Sequence, residues 1–439
     1  MAYLQEITAN KGNPQQLEEL YRAALSKHEA GQFSADMEAS FAGEPDNLLY
    51  QAWRYRLQTI PEQGRKRDRS GVNWKLAAPL AIANGLIFWA LSDPKLTFLR
   101  GIPYLVLLAA PLIALFVLLY LYLTTRKVPR RILGLGAGLA GMVALALLLN
   151  HWVDMTATRD DYLILISLHL ALLAWAAVGA ALVGLADDAD NRFAFLMRSL
   201  EVFIVAGVYL IAGMAFGGIT MGMFAALSIR LPDLLMRLIA AGGAGLIPVI
   251  AVATIYNPLA EPKDQDFNQG LSRFIGTMMR LLLPLTLGVL VIYIFVIPFY
   301  FLEPFKNRDV LIIYNVMLFA IMGLLVGATP IDLEELSPRL GSALRTGILA
   351  VAILATLISL YALSAILYRT FTNVVTINRL TMTGWNVINI VLLVMMIVRL
   401  LARGSQPWNE RIKSVYSRGA VAYVGWAVLV IVLMPFLFH

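Results

Sequence analysis

The segment Ile102–Thr124 reads IPYLVLLAAPLIALFVLLYLYLT and carries no charged side chain. A hydrocarbon core about 30 Å thick is crossed by roughly 20 such residues in a helix. Inside lipid the backbone must satisfy its own polar groups, so a run of this length is a helix. Similar runs recur down the chain: Trp74–Leu91, Ile132–Asn150, Tyr162–Leu185, Val202–Ile229, Leu238–Tyr256, Leu281–Leu302, Val310–Ala328, Thr346–Tyr368, Trp385–Ala402 and Ala420–Phe438. The expected fold is therefore all-α: a polytopic transmembrane bundle of about eleven spans over residues 73–439.

Residues 1–72 are polar and lack the basic-then-apolar pattern of a secretory leader, so they are expected to remain as a small soluble helical domain. Asn13-Pro14 is a cap and first-turn pair ahead of one helix, with Gly31 as its stop. Ser34 and Asp46 are the expected caps of two more helices. Leu17 and Tyr21 on the first helix, and Trp53 and Tyr55 on the third, are candidates for a face that docks a protein partner; the alternative is that these stripes only pack.

Only 14% of residues are charged, and the net charge is +7. That excess fits the basic residues which flank cytoplasmic span ends, and no basic-aromatic pattern points to nucleic acid. Arg65, Lys66, Arg67, Arg69 and Lys75, then Arg126, Lys127, Arg130 and Arg131, then Arg403, Arg411, Lys413 and Arg418 fall on one side of the eleven-span scheme. The positive-inside rule puts that side, with the N-terminus, in the cytoplasm, and the C-terminus outside. The basic loop Arg230–Arg237 falls outside in this scheme; a re-entrant pair there would bring the C-terminus in.

DFNQGLSRFIGTMMR and PWNERIKSVYSR carry apolar stripes opposite basic residues and are expected as interfacial helices. Four G-x-x-x-G matches, starting at Gly134, Gly213, Gly218 and Gly323, predict close helix packing. Pro79, Pro111, Pro248, Pro284 and Pro298 are expected to kink spans. The span interiors as drawn hold almost no carboxylate or lysine, which argues against a proton relay. His169, the amides Asn84, Asn315, Asn386 and Asn389, and Arg399 near the end of its span are their notable polar residues.

Catalytic signals are thin, and no cofactor is expected. There is no cysteine, and no phosphate-binding or dinucleotide-binding loop. His151 with His169 lacks a third metal ligand. The cluster Asp187-Asp188-Ala189-Asp190-Asn191 has oxygen ligands for a divalent cation but equally reads as a helix cap. The strongest site candidate is the hairpin Tyr368–Asn389, where Arg369, Asn373, Asn378 and Arg379 can hold an anion or a lipid headgroup; the alternative is an ordinary polar turn.

The step Arg280-Leu-Leu-Leu-Pro284, the pair Tyr368-Arg369 and the motif Thr376-Ile-Asn-Arg379 resemble a bacterial family of multi-pass membrane proteins of unknown function. Val374-Val375 stand where that family carries Tyr-Gly. The resemblance spans Leu271–Leu400 and implies a bacterial inner-membrane location. The expected function is a non-catalytic membrane subunit or scaffold whose N-terminal helices dock a partner, with membrane lipids around the bundle. The alternative is a transporter or channel for a lipid-like or weakly polar substrate, not proton-coupled through buried carboxylates.

Overall fold

The computed structural model describes residues 3–26, 30–59, 72–99, 102–125, 129–152, 159–184, 188–267, 270–334 and 336–438. Arg65, Lys66, Arg67, Arg69, Arg126, Lys127, Asp154, Asp187, His28 and His439 lie outside the described residues, as do the side chains of Arg130 and His151. The chain divides into two compact units, Met1–Val72 and Asn73–His439.

The first unit contains α1 (Leu4–Ala9), α2 (Pro14–Ser26), α3 (Ala30–Gly43) and α4 (Leu48–Thr59). Asn13 accepts from the Gln16 amide at 3.2 Å and starts α2, as its sequence predicts. Asn47, not Asp46, caps α4, accepting from the amides of Leu49 and Tyr50 at 3.0 and 3.3 Å. Ser34 and Gly31 both lie inside α3, because the helix begins at Ala30. The core is aromatic: the Tyr21, Phe33 and Trp53 rings meet pairwise at 5.3, 5.5 and 5.7 Å between centroids.

That core changes the reading of the docking face. Leu17, Tyr21 and Trp53 are 0%, 7% and 4% exposed, because their stripes close on α3; only Tyr55 faces outward. Arg56 covers this core, its guanidinium 4.5 Å above the Trp53 ring and paired with Glu18.

The second unit runs α5 (Trp74–Leu91), a two-stranded ribbon of β1 (Thr97–Leu99) and β2 (Ile102–Pro103), α6 (Tyr104–Thr125), α7 (Pro129–Trp152), α8 (Arg159–Val183) and α9 (Ala189–Ala226). It continues with α10 (Asp233–Arg237), a π turn at Leu238–Gly242, α11 (Gly243–Ile255), α12 (Gly270–Val296), α13 (Glu303–Lys306), α14 (Arg308–Ala328), α15 (Pro338–Thr372), α16 (Ile377–Leu401) and α17 (Trp408–Leu437). Among the described residues, 11 helical stretches are long and apolar enough to cross a membrane, with Asp233–Ile255 counting as one. The chain is a multi-pass integral membrane protein. On α9, Phe203, Ile211, Phe216 and Ile219 are all well exposed, which in water would be an aggregating surface and in a bilayer is a lipid-facing one.

α16 and α17 supply residues to both large apolar cores, one built with α9, α12, α14 and α15, the other with α6, α7 and α8. The expected interfacial helices are instead the first turns of α12 and α17. No residue between the amphipathic stretch and the apolar run breaks the helix, so the two fuse. On α17 the stripe Trp408, Ile412 and Tyr416 is buried in the bundle. Pro298 does not kink a span; it falls in the short 3-10 turn Ile297–Tyr300 that ends α12.

The glycine motifs also resolve differently. A Cβ at Gly134, Gly138, Gly213, Gly218, Gly222 or Gly323 would meet nothing within 4 Å, whereas one on Gly327 would lie 2.6 Å from Leu200 and 2.8 Å from Met279, and one on Gly217 3.3 Å from Ile239. Backbone meets backbone between α5 and α11, where a Cβ on Gly245 would lie 2.8 Å from the Gly85 Cα and 2.9 Å from the Phe88 Cβ. Beside it the Asn84 amide donates to the Gly245 carbonyl at 2.7 Å.

The stretch Arg230–Arg237 joins two helices that are each long and apolar enough to cross a membrane. Asp233–Ile255 has 23 residues, about 35 Å of helix. Arg237 pairs with Asp93 at 3.1 Å, so this loop lies beside the turn after α5. Asp93 is held below the usual carboxylate range by the Lys95 backbone amide and then by Arg237. The partner charge explains how a basic loop sits on the side that the charge rule calls outer.

Candidate functional site

α9 is 38 residues long, about 57 Å, and starts at Ala189, well before the apolar run that sets off at Val202. Asp188 caps it, accepting from the Asn191 amide at 3.0 Å and from Asn191 Nδ2 at 2.8 Å. Asn191 in turn accepts from the Lys263 amide at 3.0 Å, and Asp190 lies 3.4 Å from Lys413. The described acidic residues at this helix start are therefore taken up by capping and ion pairing. No group of three or more His, Cys, Asp or Glu with metal-site geometry occurs among the described residues.

The extra turns of α9 carry what the apolar reading left out. Arg198 and Glu201 stand three residues apart, one helical turn, and form an ion pair with side chains only 6% and 3% exposed. Arg198 Nη1 also donates to Ser272 Oγ at 2.7 Å, and Nη2 to the Asp266 carbonyl at 2.5 Å. Ser272 Oγ donates to Glu201 Oε2 at 2.9 Å. The guanidinium sits 4.3 Å above the Phe267 ring. The pair thus fastens α9 to the start of α12. Both hydrogen bonds to Glu201 fall on Oε2. Glu201 stands one residue before the drawn span Val202–Ile229 and is buried inside the same helix.

Glu201 and Ser272 line a pocket of about 460 Å³, together with Arg273, Thr277 and Arg280 of α12 and Asp332 of the α14–α15 loop. Residues 273, 277 and 280 recur at helical spacing, so α12 presents one face to the pocket. Ile331, Leu336 and Leu340 add an apolar part to its lining. Arg198 also lines a separate apolar cavity of about 270 Å³ between α6, α8, α9 and α11. The sequence signal for this site is the R-x-x-E step Arg198–Glu201, one turn before the apolar run.

The amides within the spans find partners inside the bundle. Asn386 Nδ2 donates to Asn315 Oδ1 at 2.5 Å, and Asn389 pairs with the Tyr423 hydroxyl. Trp385 Nε1 donates to His169 Nε2 at 3.1 Å, while His169 Nδ1 lies 2.7 Å from the Leu165 carbonyl. Those partners assign the proton to Nδ1 and make the ring neutral. With both nitrogens engaged, His169 has no lone pair to offer a metal.

The Tyr368–Asn389 hairpin is the turn between α15 and α16. Thr376 Oγ1 accepts from the Arg379 amide at 3.4 Å and caps α16. Arg379 Nη1 donates to the carbonyls of Arg369 and Val374 at 2.9 and 2.7 Å, so this guanidinium closes the C-terminal end of α15. Asn373 Nδ2 reaches the Arg369 carbonyl at 3.3 Å. Asn378 is half-buried beside this network, with no polar contact of its own among the described residues. The hairpin and the Glu201 pocket lie at opposite ends of the bundle: α15 runs from one to the other.

Fold and sites together define a multi-pass membrane protein with a charged pocket at one end of its bundle and an arginine-rich turn at the other. No family model, no curated protein and no solved structure matches the chain. The resemblance of Leu271–Leu400 to a family of unknown function gains no support from these comparisons.

Proposed function

We propose that this protein binds and moves a small solute, or the polar head of an amphiphile, that carries an anionic group. The observation behind this reading is the pocket of about 460 Å³ walled by Glu201, Ser272, Arg273, Thr277, Arg280 and Asp332. Its volume falls in the range of small-molecule sites, roughly 300–1,000 Å³. Buried ionisable groups in membrane bundles are expensive and mark substrate and ion paths. Arg273 and Arg280 suit a carboxylate or phosphate, whereas Glu201 and Asp332 suit a donor group on the same ligand. The substrate is therefore polar at one end, rather than weakly polar throughout.

The orientation that accompanies this reading puts the pocket end and the N-terminal unit in the cytoplasm of a bacterial cell and the C-terminus outside, in the inner membrane. The basic residues Arg339, Arg345, Arg403 and Lys413 near the pocket-end helix termini support it. The scaffold reading retains one observation of its own. Leu48, Ala52 and Tyr55 form an exposed stripe on α4, with Leu48 82% and Tyr55 70% exposed, where a protein partner has apolar surface to bind.

The test is a melting-temperature screen of the purified full chain against anionic and zwitterionic solutes, followed by flux into vesicles. Arg273→Ala is expected to weaken a hit roughly tenfold or more, the loss of one charged hydrogen bond. If no solute binds or moves, and Leu48→Asp with Tyr55→Asp releases a stoichiometric co-purifying protein, the scaffold reading replaces this one.

A further inference from the structure

At the end of the bundle away from the Glu201 pocket, three arginines come together from three helices. Arg308 is the first residue of α14, Arg369 lies in the last turn of α15, and Arg379 is in the first turn of α16. Leu311 and Tyr314 of α14 pack with Ala365 and Ile366 of α15 and with Met382 of α16, and Arg379 Nη1 donates to the Arg369 carbonyl at 2.9 Å, so the three helix ends share one junction. None of the three has a carboxylate within 4 Å among the described residues. Arg369 Nη1 is buried and has no hydrogen-bond partner among the described residues. Arg379 is committed to the turn by its two carbonyl bonds. Positive charge thus accumulates at the junction with an unused donor and no ion pair to any of the three guanidinium groups among the described residues.

The surroundings set the depth of this cluster in the bilayer. Phe305 meets the Tyr368 ring at 5.5 Å, and Tyr361 meets Phe301 at 5.2 Å. Phe299, Tyr300 and Phe371 are exposed by 83%, 64% and 84%. Aromatic rings gather at the membrane–water boundary, at the level of the lipid headgroups. Guanidinium groups match phosphate geometry and form the stronger class of hydrogen bond with it.

We infer that Arg308 and Arg369, with Arg379 holding the turn, bind a phosphate group, and that an anionic phospholipid headgroup is its source. This site uses none of the pocket residues, so it stands or falls apart from the proposed transport function.

The experiment is native mass spectrometry of the full chain taken from nanodiscs of phosphatidylcholine with phosphatidylglycerol. A second arm titrates inorganic phosphate in nanodiscs of phosphatidylcholine alone. Wild type is expected to retain phosphatidylglycerol selectively, and Arg308→Ala with Arg369→Ala to weaken that retention roughly tenfold or more. Binding of inorganic phosphate without lipid retention, abolished by the same variant, would keep the phosphate site but overturn the lipid source. Neither ligand bound, or equal binding in the variant, overturns the proposal. Should the double alanine variant fail to fold, Arg308→Lys with Arg369→Lys keeps the charge and loses the planar fork. Unchanged retention in that variant, with phosphatidylcholine held equally well, also overturns it.

Discussion

Glu201 accepts two hydrogen bonds on one oxygen and lies against a guanidinium that is itself bonded to a serine and a carbonyl. Removing one partner of a buried pair leaves the other charge uncompensated, at a cost of about 3–5 kcal/mol. Glu201→Ala should therefore lower the melting temperature sharply. Glu201→Gln should cost less, because an amide oxygen can still accept from Arg198 and Ser272. Equal losses in the two variants would show that charge, not hydrogen bonding, holds the site. A second residue-scale expectation concerns Glu18, whose carboxyl is held below its usual range first by Arg56 and also by Arg22. Its folded value is lowered, so its contribution is fully present above the ordinary glutamate value of about 4.3 and is lost as pH falls through and below it. Hydrogen exchange across α2 and α4 in the full chain should speed up over that window, and Glu18→Gln should remove the pH dependence. Helical periodicity found the stripes of Leu17, Tyr21 and Trp53 but could not say what they meet; the partner turned out to be the unit's own α3. Arg198 and Glu201 escaped notice for another reason. Hydropathy marks the apolar stretch of a helix, and α9 is helical well before its apolar stretch begins.

At the scale of elements, span positions were readable because lipid demands long, uncharged runs. Contacts between the spans were not. The G-x-x-x-G spacing says that two small residues share a face, but not whether that face looks at a helix or at lipid. Gly138 looks at open space, whereas Gly245, in no such motif, is pressed onto Gly85 and Phe88. Gly245→Ala should thus cost about 1–3 kcal/mol, the usual penalty for overpacking a tight contact. Gly138→Ala should be neutral or stabilise by up to about 1 kcal/mol through helix propensity. Unfolding of both variants in a denaturing detergent series checks this; a more damaging Gly138→Ala would return weight to the motif reading. The starts of α12 and α17 are hidden in the sequence on similar grounds. Amphipathic starts and apolar continuations look like separate segments in sequence, but without a breaker they form single long helices such as α12 and α17.

For the whole molecule, eleven crossings put the starts of α9 and α17 on one side of the membrane and the α15–α16 turn on the other. The chain has no cysteine, so single introduced thiols report cleanly on sidedness. In intact cells expressing the protein, with the orientation proposed above, an impermeant maleimide should label Thr372→Cys and spare Ser405→Cys; the reverse pattern would invert the orientation. The π turn at Leu238–Gly242 carries a further consequence. A π turn holds one residue more than the α-helical ladder around it needs, so it acts as a phase shift between α10 and α11. In an α-helix each residue advances the winding by about 100°. Deleting Ala240 would let the ladder close and swing α10 by about that angle. Arg237 would then leave Asp93, while Gly245 stayed seated on Gly85. The extra residue is what allows one crossing to meet α5 with a glycine at mid-depth and with an arginine at the rim, two contacts that a regular helix would point in different directions.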